Sequence, residues 1–301
     1  MDSTISGYVE SRYMSYPERV RWMLLEDFSS QSNIVFGNDT YERYGNGYGI
    51  FDHIDLSKIV NDGKIAIRRK IDKNDDDSYD RDKKHSETFT PSAVCKIMND
   101  VIDDEYFGID SVFSDLKQIE GISEDKIKDY VNQSRLEVAC GEAPFLCSPY
   151  DSSNGNDIPI EERIGILDRK MHLIYANSDA YDSDRKLNLM LEALSSCYGY
   201  EYQGDNLLVA RINMLDSFSD HYSRIMHHMI DEDTLYTAAR IISERIVQMD
   251  GLSFCTVADD ENKRSVHIPF NGRNVSFSEL GNRLLTKRRF YAAVSNPPPI
   301  P

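Results

Sequence analysis

The spacing of apolar and polar residues changes repeatedly along this chain, and the changes predict an α/β fold. Apolar residues recur with helical spacing in four segments, at residues 8–30, 185–197, 205–218 and 234–247. Short apolar runs predict strands at residues 136–139, 198–201 and 291–294, and a polar–apolar alternation predicts a hairpin at 267–277. Because strands alternate with helices, we expect a mainly parallel sheet.

A charged stretch divides the chain into two regions. Residues 72–84 are nearly all charged or polar, with Asp75, Asp76 and Asp77 at their centre. Their spacing lacks the glycine and the terminal glutamate of a calcium loop, so we favour a solvated linker over a metal site. The sequence therefore predicts a helical and loop region at 1–84, which ends in this acidic linker, and a catalytic domain at 85–301.

The catalytic domain is expected to open with a helix. Pro91 suits a first helical residue, and Thr90 suits the N-cap that precedes it. The apolar residues that follow share one helical face and predict its buried side: Ala93, Val94, Ile97, Met98, Val101 and Ile102.

Composition and charge limit the class of protein. Of the 301 residues 40% are hydrophobic, yet no apolar stretch approaches the roughly 18 residues of a membrane span. The N-terminus lacks signal-peptide character, and the five cysteines form no CxxC pair. We therefore expect a cytoplasmic protein with no metal site and no membrane contact. The formal net charge of −17 argues against a surface that grips DNA over its whole extent, since phosphate neutralisation needs basic residues.

Three predicted strand ends carry residues suited to a ligand, which in an open parallel sheet binds beyond the carboxyl ends of the strands. Small residues at Ala139, Cys140 and Gly141 let a ligand lie against the backbone. Glu201 can accept hydrogen bonds from a ribose diol, and Asp250 can accept one from an adenine amine. Each residue also has a purely structural alternative. Gly141 could be a turn glycine, Glu201 could face solvent, and Asp250 could form an Asp-Gly turn. Taken one at a time, the residues leave these alternatives open.

A polar group on a stiff loop follows the last predicted strand. Asn296 precedes Pro297 and Pro298, and proline fixes its own φ and restricts the residue before it. The side chain of such an Asn can accept a hydrogen bond from an amino group. The lone pair of the amino nitrogen then points toward an electrophilic methyl group. A frayed proline-rich tail is the alternative.

Five short motifs, taken in chain order, resemble the motif series of the γ-class N6-adenine DNA methyltransferases of bacterial restriction–modification systems. They are Phe89-Thr90-Pro91, Ala139-Cys140-Gly141, Tyr200-Glu201, Asp250-Gly251-Leu252 and Val294-Ser295-Asn296-Pro297-Pro298. The longer strings 135–146 and 198–213 are similar to a restriction-system methylase subfamily. The resemblance covers about residues 85–299 and implies a Rossmann-like core that binds S-adenosyl-L-methionine.

The resemblance also implies a role for each motif. Phe89, Thr90 and Pro91 would contact the methionine end of the cofactor. Glu137, Ala139, Cys140 and Gly141 would line its amino-acid and ribose portion. Glu201 would bind the ribose hydroxyls, and Asp250 and Leu252 would hold the adenine. Asn296, Pro297 and Pro298 would face the target adenine, which must leave the base stack before its amino group is reached.

The chain departs from the family pattern at three places. Glu142-Ala143-Pro144 replaces the second glycine of the loop and adds a negative charge next to the expected cofactor carboxylate. Glu201 lies about three times farther from the glycine loop than the roughly 20 residues of dinucleotide folds, which implies an insertion. Pro299 stands where the family has an aromatic residue that stacks on the flipped base.

The resemblance thus implies a DNA adenine methyltransferase module, truncated before its target-recognition domain and weakly active alone. Its expected partners are double-stranded DNA and a restriction or specificity subunit. Two alternatives remain open. A protein glutamine methyltransferase also uses an NPPY-type loop, although the motif at 89–91 favours DNA. The second alternative is a non-catalytic cofactor-binding remnant or interaction subunit. Pro299 favours it, because it replaces the aromatic residue that stacks on the flipped base.

Overall fold

The computed structural model describes residues 8–61, 64–73, 90–284 and 292–295. The helices are α1 (Tyr8–Tyr13), α2 (Glu18–Leu25), α3 (Leu56–Ile59), α4 (Ser92–Phe107), α5 (Glu124–Val131), α6 (Ile166–Ala176), α7 (Ser183–Ser195), α8 (Gly204–Met226), α9 (Glu232–Arg245) and α10 (Phe277–Leu284). The strands are β1 (Glu26–Asp27), β2 (Ser32–Asn33), β3 (Val60–Asn61), β4 (Lys64–Ile65), β5 (Arg135–Val138), β6 (Cys197–Glu201), β7 (Ile246–Gln248), β8 (His267–Phe270), β9 (Arg273–Ser276) and β10 (Ala292–Ser295).

Four strands form a parallel sheet in the order β10-β5-β6-β7. The predicted α/β class and parallel sheet are therefore confirmed. β6 and β7 extend the sheet to one side of β5, and β10 joins it on the other side. The strand order thus reverses at β5, so the crossovers on its two sides leave a crevice beyond its carboxyl end.

Each face of the sheet is covered by a different layer. On one face Leu136, Tyr198 and Val247 form a small core with the β8–β9 hairpin and α10. The turn of this hairpin, Asn271-Gly272, has positive φ at both residues, as the favoured two-residue hairpin turns require. On the other face α8 and α9 pack against β6 and β7. The hairpin predicted at 267–277 is confirmed.

The N-terminal region shares the main hydrophobic core with the rest of the chain. That core continues from Val9 to Ile246. The buried guanidinium of Arg211 donates to the carbonyl oxygens of Leu24 and Ile246, at 2.7 and 2.9 Å. The boundary predicted at residue 84 lies outside the described residues, and the regions on its two sides are packed together.

Two helix predictions were wrong in detail. Residues 8–30 form two helices and a strand because Pro17, at the N-cap of α2, disfavours helix in the residue before it. In α4, Val94, Ile97 and Val101 of the predicted buried face are 38%, 62% and 64% exposed. The helix instead buries Asp103, whose carboxylate pairs with two arginines of neighbouring elements. Met98 and Ile102 of the predicted face do pack against the main core, so the prediction of the buried side holds only in part.

The insertion expected between the first two sheet strands consists of α6 and α7, of which only α7 was predicted. No helix among the described ranges is long and apolar enough to cross a membrane.

Candidate crevice at the carboxyl ends of the strands

The chain turns tightly after β5. Ala139 and Gly141 adopt positive φ values of 50° and 55°, and Ala143 follows with 64°. The backbone N–H of Cys140 donates to the Tyr200 carbonyl over 2.8 Å, which extends the pairing of β5 with β6. A left-handed conformation at alanine is unusual, so neighbouring contacts must hold this turn in place.

Glu201, at the end of β6, holds the turn. Its Oε2 accepts the backbone N–H of Gly141 at 2.9 Å, and its Oε1 accepts that of Gln203 at 3.0 Å. The residue is 7% exposed. The solvent-facing alternative for Glu201 is therefore wrong. Both of its carboxylate oxygens thus bind backbone N–H groups beyond the ends of β5 and β6.

Glu137 lies on β5 but not at the edge of the crevice. It is buried and its carboxylate accepts the backbone N–H groups of Phe145 and Leu146, at 3.4 and 3.2 Å. Burial raises the pKa of Glu137 well above its usual range, although these backbone bonds act in the opposite direction. Glu137 therefore holds the backbone of residues 145 and 146 in place after the turn.

Cys140 sits inside the turn. Burial, with the nearby charges of Glu137 and Glu201, raises the pKa of its thiol well above the usual range, so it stays protonated. A Cβ on Gly199 of β6 would lie 3.2 Å from the Cys140 sulfur. The small residue on β6 therefore makes room for the turn after β5.

The start of α4 places the segment at 90–91 beside residues 151 and 152, which follow the turn. Pro91 is the N-cap of α4, so the helix begins one residue later than the sequence suggested. Thr90 precedes the N-cap and is buried. Farther along α4, Asn99 donates through Nδ2 to the carbonyl oxygens of Phe145 and Ile164. Phe89 lies outside the described residues.

Glu142, which departs from the family's loop pattern, is buried within the protein. It is 4% exposed, and its carboxylate accepts the Tyr150 hydroxyl and the Lys70 backbone N–H, each at 2.6 Å. The guanidinium of Arg69, next to Lys70, contacts the rings of both Tyr8 and Tyr150, at 4.6 and 4.5 Å from their centroids. Glu142 therefore anchors the N-terminal region over the turn.

The residues expected to hold an adenine lie after β7. The Asp250 carboxylate accepts the Leu252 backbone N–H and the Ser253 hydroxyl, at 2.9 and 2.8 Å. This arrangement is the Asp-Gly turn that the sequence left open. Leu252 is 96% exposed, so its side chain contacts no wall of the crevice.

The motif after the last strand is only partly described. Ser295 of β10 pairs in register with Val138 of β5, so the two strands end side by side. Asn296, Pro297 and Pro298 follow Ser295 directly in the sequence and lie outside the described residues.

An N-terminal segment that the sequence did not suggest borders the crevice. The Gln248 side chain of β7 accepts the Val35 backbone N–H and donates to the Val35 carbonyl, both at 2.8 Å. A Cβ on Gly204 would lie 2.0 Å from that carbonyl oxygen. Lys73 reaches the first turn of α8 and pairs with the buried Asp205 at 3.2 Å. Only long-range packing brings these residues together.

Comparisons with protein-family models, with curated proteins and with solved structures found no match to this chain. Within the described ranges, no group of three or more His, Cys, Asp or Glu side chains is arranged to hold a metal ion.

Proposed function

We propose that this chain is the cofactor-binding module of an S-adenosyl-L-methionine-dependent DNA adenine-N6 methyltransferase of the restriction–modification type. The proposal combines the motif resemblance of residues 85–299 with the geometry of the crevice.

The topology supports a Rossmann-like core. Numbered in chain order, the four sheet strands run 3-2-1-4, which are the first four positions of the doubly wound order 3-2-1-4-5-6. In such sheets a ligand binds at the point where the strand order reverses. Here that point lies between β5 and β10, where the turn 139–141 and the Asn296 motif follow their strands.

One observation carries the proposal: the hydrogen bond between Gly141 and Glu201. The two residues belong to different motifs of the resemblance, and the fold joins them at adjacent strand ends. An acidic residue there suits the diol of a ribose laid against a small-residue turn. The described residues thus fit the adenosyl cofactor, which when bound supplies an electrophilic methyl group.

The remaining roles follow from the chemistry of the residues. In this proposal Asn296 accepts a hydrogen bond from the target amine, and Pro297 and Pro298 restrict the loop that carries it. Double-stranded DNA is the substrate. Because the net charge of −17 opposes encounter with DNA, we expect a restriction or specificity subunit to supply most phosphate contacts.

Titration calorimetry with S-adenosylmethionine and S-adenosylhomocysteine tests the cofactor. We expect saturable binding of both, and a folded sample that gives no heat at millimolar ligand would refute the proposal. Transfer of a labelled methyl group to mixed-sequence DNA at low salt tests the substrate. The chain alone is expected to transfer only a little label to DNA, and the label on adenine should be lost with Asn296→Ala while cofactor affinity is kept. Label on glutamine of an added protein would favour the other methyl acceptor.

A further inference from the structure

A small cavity lies beneath the turn that follows β5. Its volume is about 10 Å³, and its lining includes Glu142, Tyr150, Ser152 and Asn213. A space of this size accommodates a single water-sized group. The chemistry of the lining therefore decides which group it accepts.

Asn213 of α8 provides the most specific feature of the cavity. It is 2% exposed, and its Nδ2 donates to the Glu142 carbonyl at 2.9 Å and to the Tyr150 hydroxyl at 3.1 Å. Its Oδ1 is buried and has no hydrogen-bond partner among the described residues. Buried amide oxygens are nearly always satisfied, so the cavity calls for a donor.

The other polar groups of the lining also favour a donor. The Glu142 carboxylate is an acceptor, and it brings a negative charge to the wall. Burial and the charge of Glu142 raise the pKa of Tyr150 well above its usual range, so its hydroxyl stays protonated and donates to Glu142. The Ser152 hydroxyl donates to the Thr90 carbonyl at 3.1 Å. A compact cation with several N–H groups matches this set.

The position of the cavity narrows the choice of cation. Glu142 follows Gly141 directly, and Ser152 links the lining to Thr90. Thr90 and Gly141, which belong to the segments that the resemblance assigns to the methionine end of the cofactor, thus each neighbour a residue of the cavity lining. An amino acid placed between Thr90 and Gly141 would lie next to this lining, which includes Asn213.

We propose that this cavity binds the α-ammonium group of the cofactor's methionine moiety, with Asn213 Oδ1 and the Glu142 carboxylate as its acceptors. This inference rests on the proposed function. The sequence suggested that Glu142 weakens cofactor binding by repelling the cofactor carboxylate. In this inference Glu142 strengthens binding instead, because its negative charge attracts the cofactor ammonium.

Ligand truncation tests the inference on the wild-type chain. The probes are S-adenosylhomocysteine, its analogue that lacks only the α-amino group, and 5′-methylthioadenosine, which lacks the amino acid. We expect the deaminated analogue to bind at least about tenfold more weakly than S-adenosylhomocysteine, the effect of one charge-assisted hydrogen bond. Equal affinity of these two ligands would overturn the inference.

A matched pair of variants provides the second test. Asn99 resembles Asn213, since it is fully buried, donates through Nδ2 to two oxygens and has an Oδ1 without a partner in the described part of the chain. It does not line the cavity. We expect Asn213→Leu to weaken the binding of S-adenosylhomocysteine about tenfold or more and to leave the affinity for 5′-methylthioadenosine unchanged. Asn99→Leu should not alter the ratio of the two affinities.

The outcomes separate this inference from the proposed function. If 5′-methylthioadenosine binds the wild type but Asn213→Leu weakens both ligands equally, the cavity holds a structural water and the inference is wrong. If none of the three ligands binds, the proposed function itself fails. Should Asn213→Leu not fold, as judged by circular dichroism, equal affinity of S-adenosylhomocysteine and its deaminated analogue for the wild type still overturns the inference.

Discussion

The backbone N–H of Gly141 donates a hydrogen bond to the Glu201 carboxylate over 2.9 Å. This contact joins the turn after β5 to the end of the neighbouring parallel strand β6, and that turn holds Ala139 at a positive φ. One acidic side chain on β6 therefore shapes the turn that follows β5.

Glu201→Gln should weaken cofactor binding. Loss of the charge removes charge-assisted bonds, and we expect the dissociation constant of S-adenosylhomocysteine to rise about ten- to a hundredfold. Calorimetry on the variant measures it, with the exposed Glu120→Gln as the control. An unchanged affinity in Glu201→Gln would show that Glu201 only supports the turn.

Glu142→Ala should destabilise the fold. The change leaves the buried Tyr150 hydroxyl and the Lys70 backbone N–H without this acceptor. We expect the free energy of unfolding to fall by about 1–3 kcal/mol. Urea denaturation measures it, and a midpoint equal to that of the wild type would contradict the anchoring role of Glu142.

Arg211→Met should loosen the N-terminal region. Buried carbonyl oxygens of Leu24 and Ile246 would lose their donor, so we expect a loss of at least about 3 kcal/mol. Amide hydrogen exchange in α2 should also become faster. Arg240→Met is the control, because Arg240 is 60% exposed and its pair with Glu244 should contribute at most about 1 kcal/mol. Equal effects of the two variants would show that the hydrogen bonds of Arg211 do not stabilise the N-terminal region.

Acid should destabilise the protein through His172. Burial lowers the pKa of this side chain to about 3, with the nearby His221 acting in the same direction. The unfolded chain then binds more protons than the folded chain as pH falls from about 6.5 toward 3. The stability present above pH 6.5 is therefore lost in this window, by up to about 1.4 kcal/mol per pH unit.

His172→Gln should reduce that loss, because glutamine does not titrate. The free energy of unfolding, measured in urea at pH 7, 6 and 5, should fall less steeply than in the wild type. The exposed His228→Gln should follow the wild-type slope. A slope unchanged by His172→Gln would mean that His172 does not titrate in this range.

The sequence alone predicted the features that depend on local spacing. Strands β5, β6 and β10 and helices α8 and α9 were expected within a few residues of their observed bounds, apart from the last eight residues of α8. Apolar periodicity is a local property, so it can be read before the fold is known. Proximity of the motifs at 139–141 and 201 was inferred from a general rule for parallel sheets, and the hydrogen bond between them agrees with that inference.

Only the tertiary structure decided which polar groups are buried and what they contact. The resemblance assigned Glu137 and Asp250 to the cofactor, yet Glu137 accepts the backbone N–H groups of Phe145 and Leu146, and the Asp250 carboxylate closes its own turn. Glu142, expected to repel the cofactor carboxylate, accepts the Tyr150 hydroxyl and the Lys70 backbone N–H. The N-terminal segment that holds Val35 and the cavity beside Asn213 were likewise absent from the sequence pattern. Hydrogen-bond partners distant in the chain leave no periodic trace, because a polar residue looks the same in sequence whether its partner is solvent or protein.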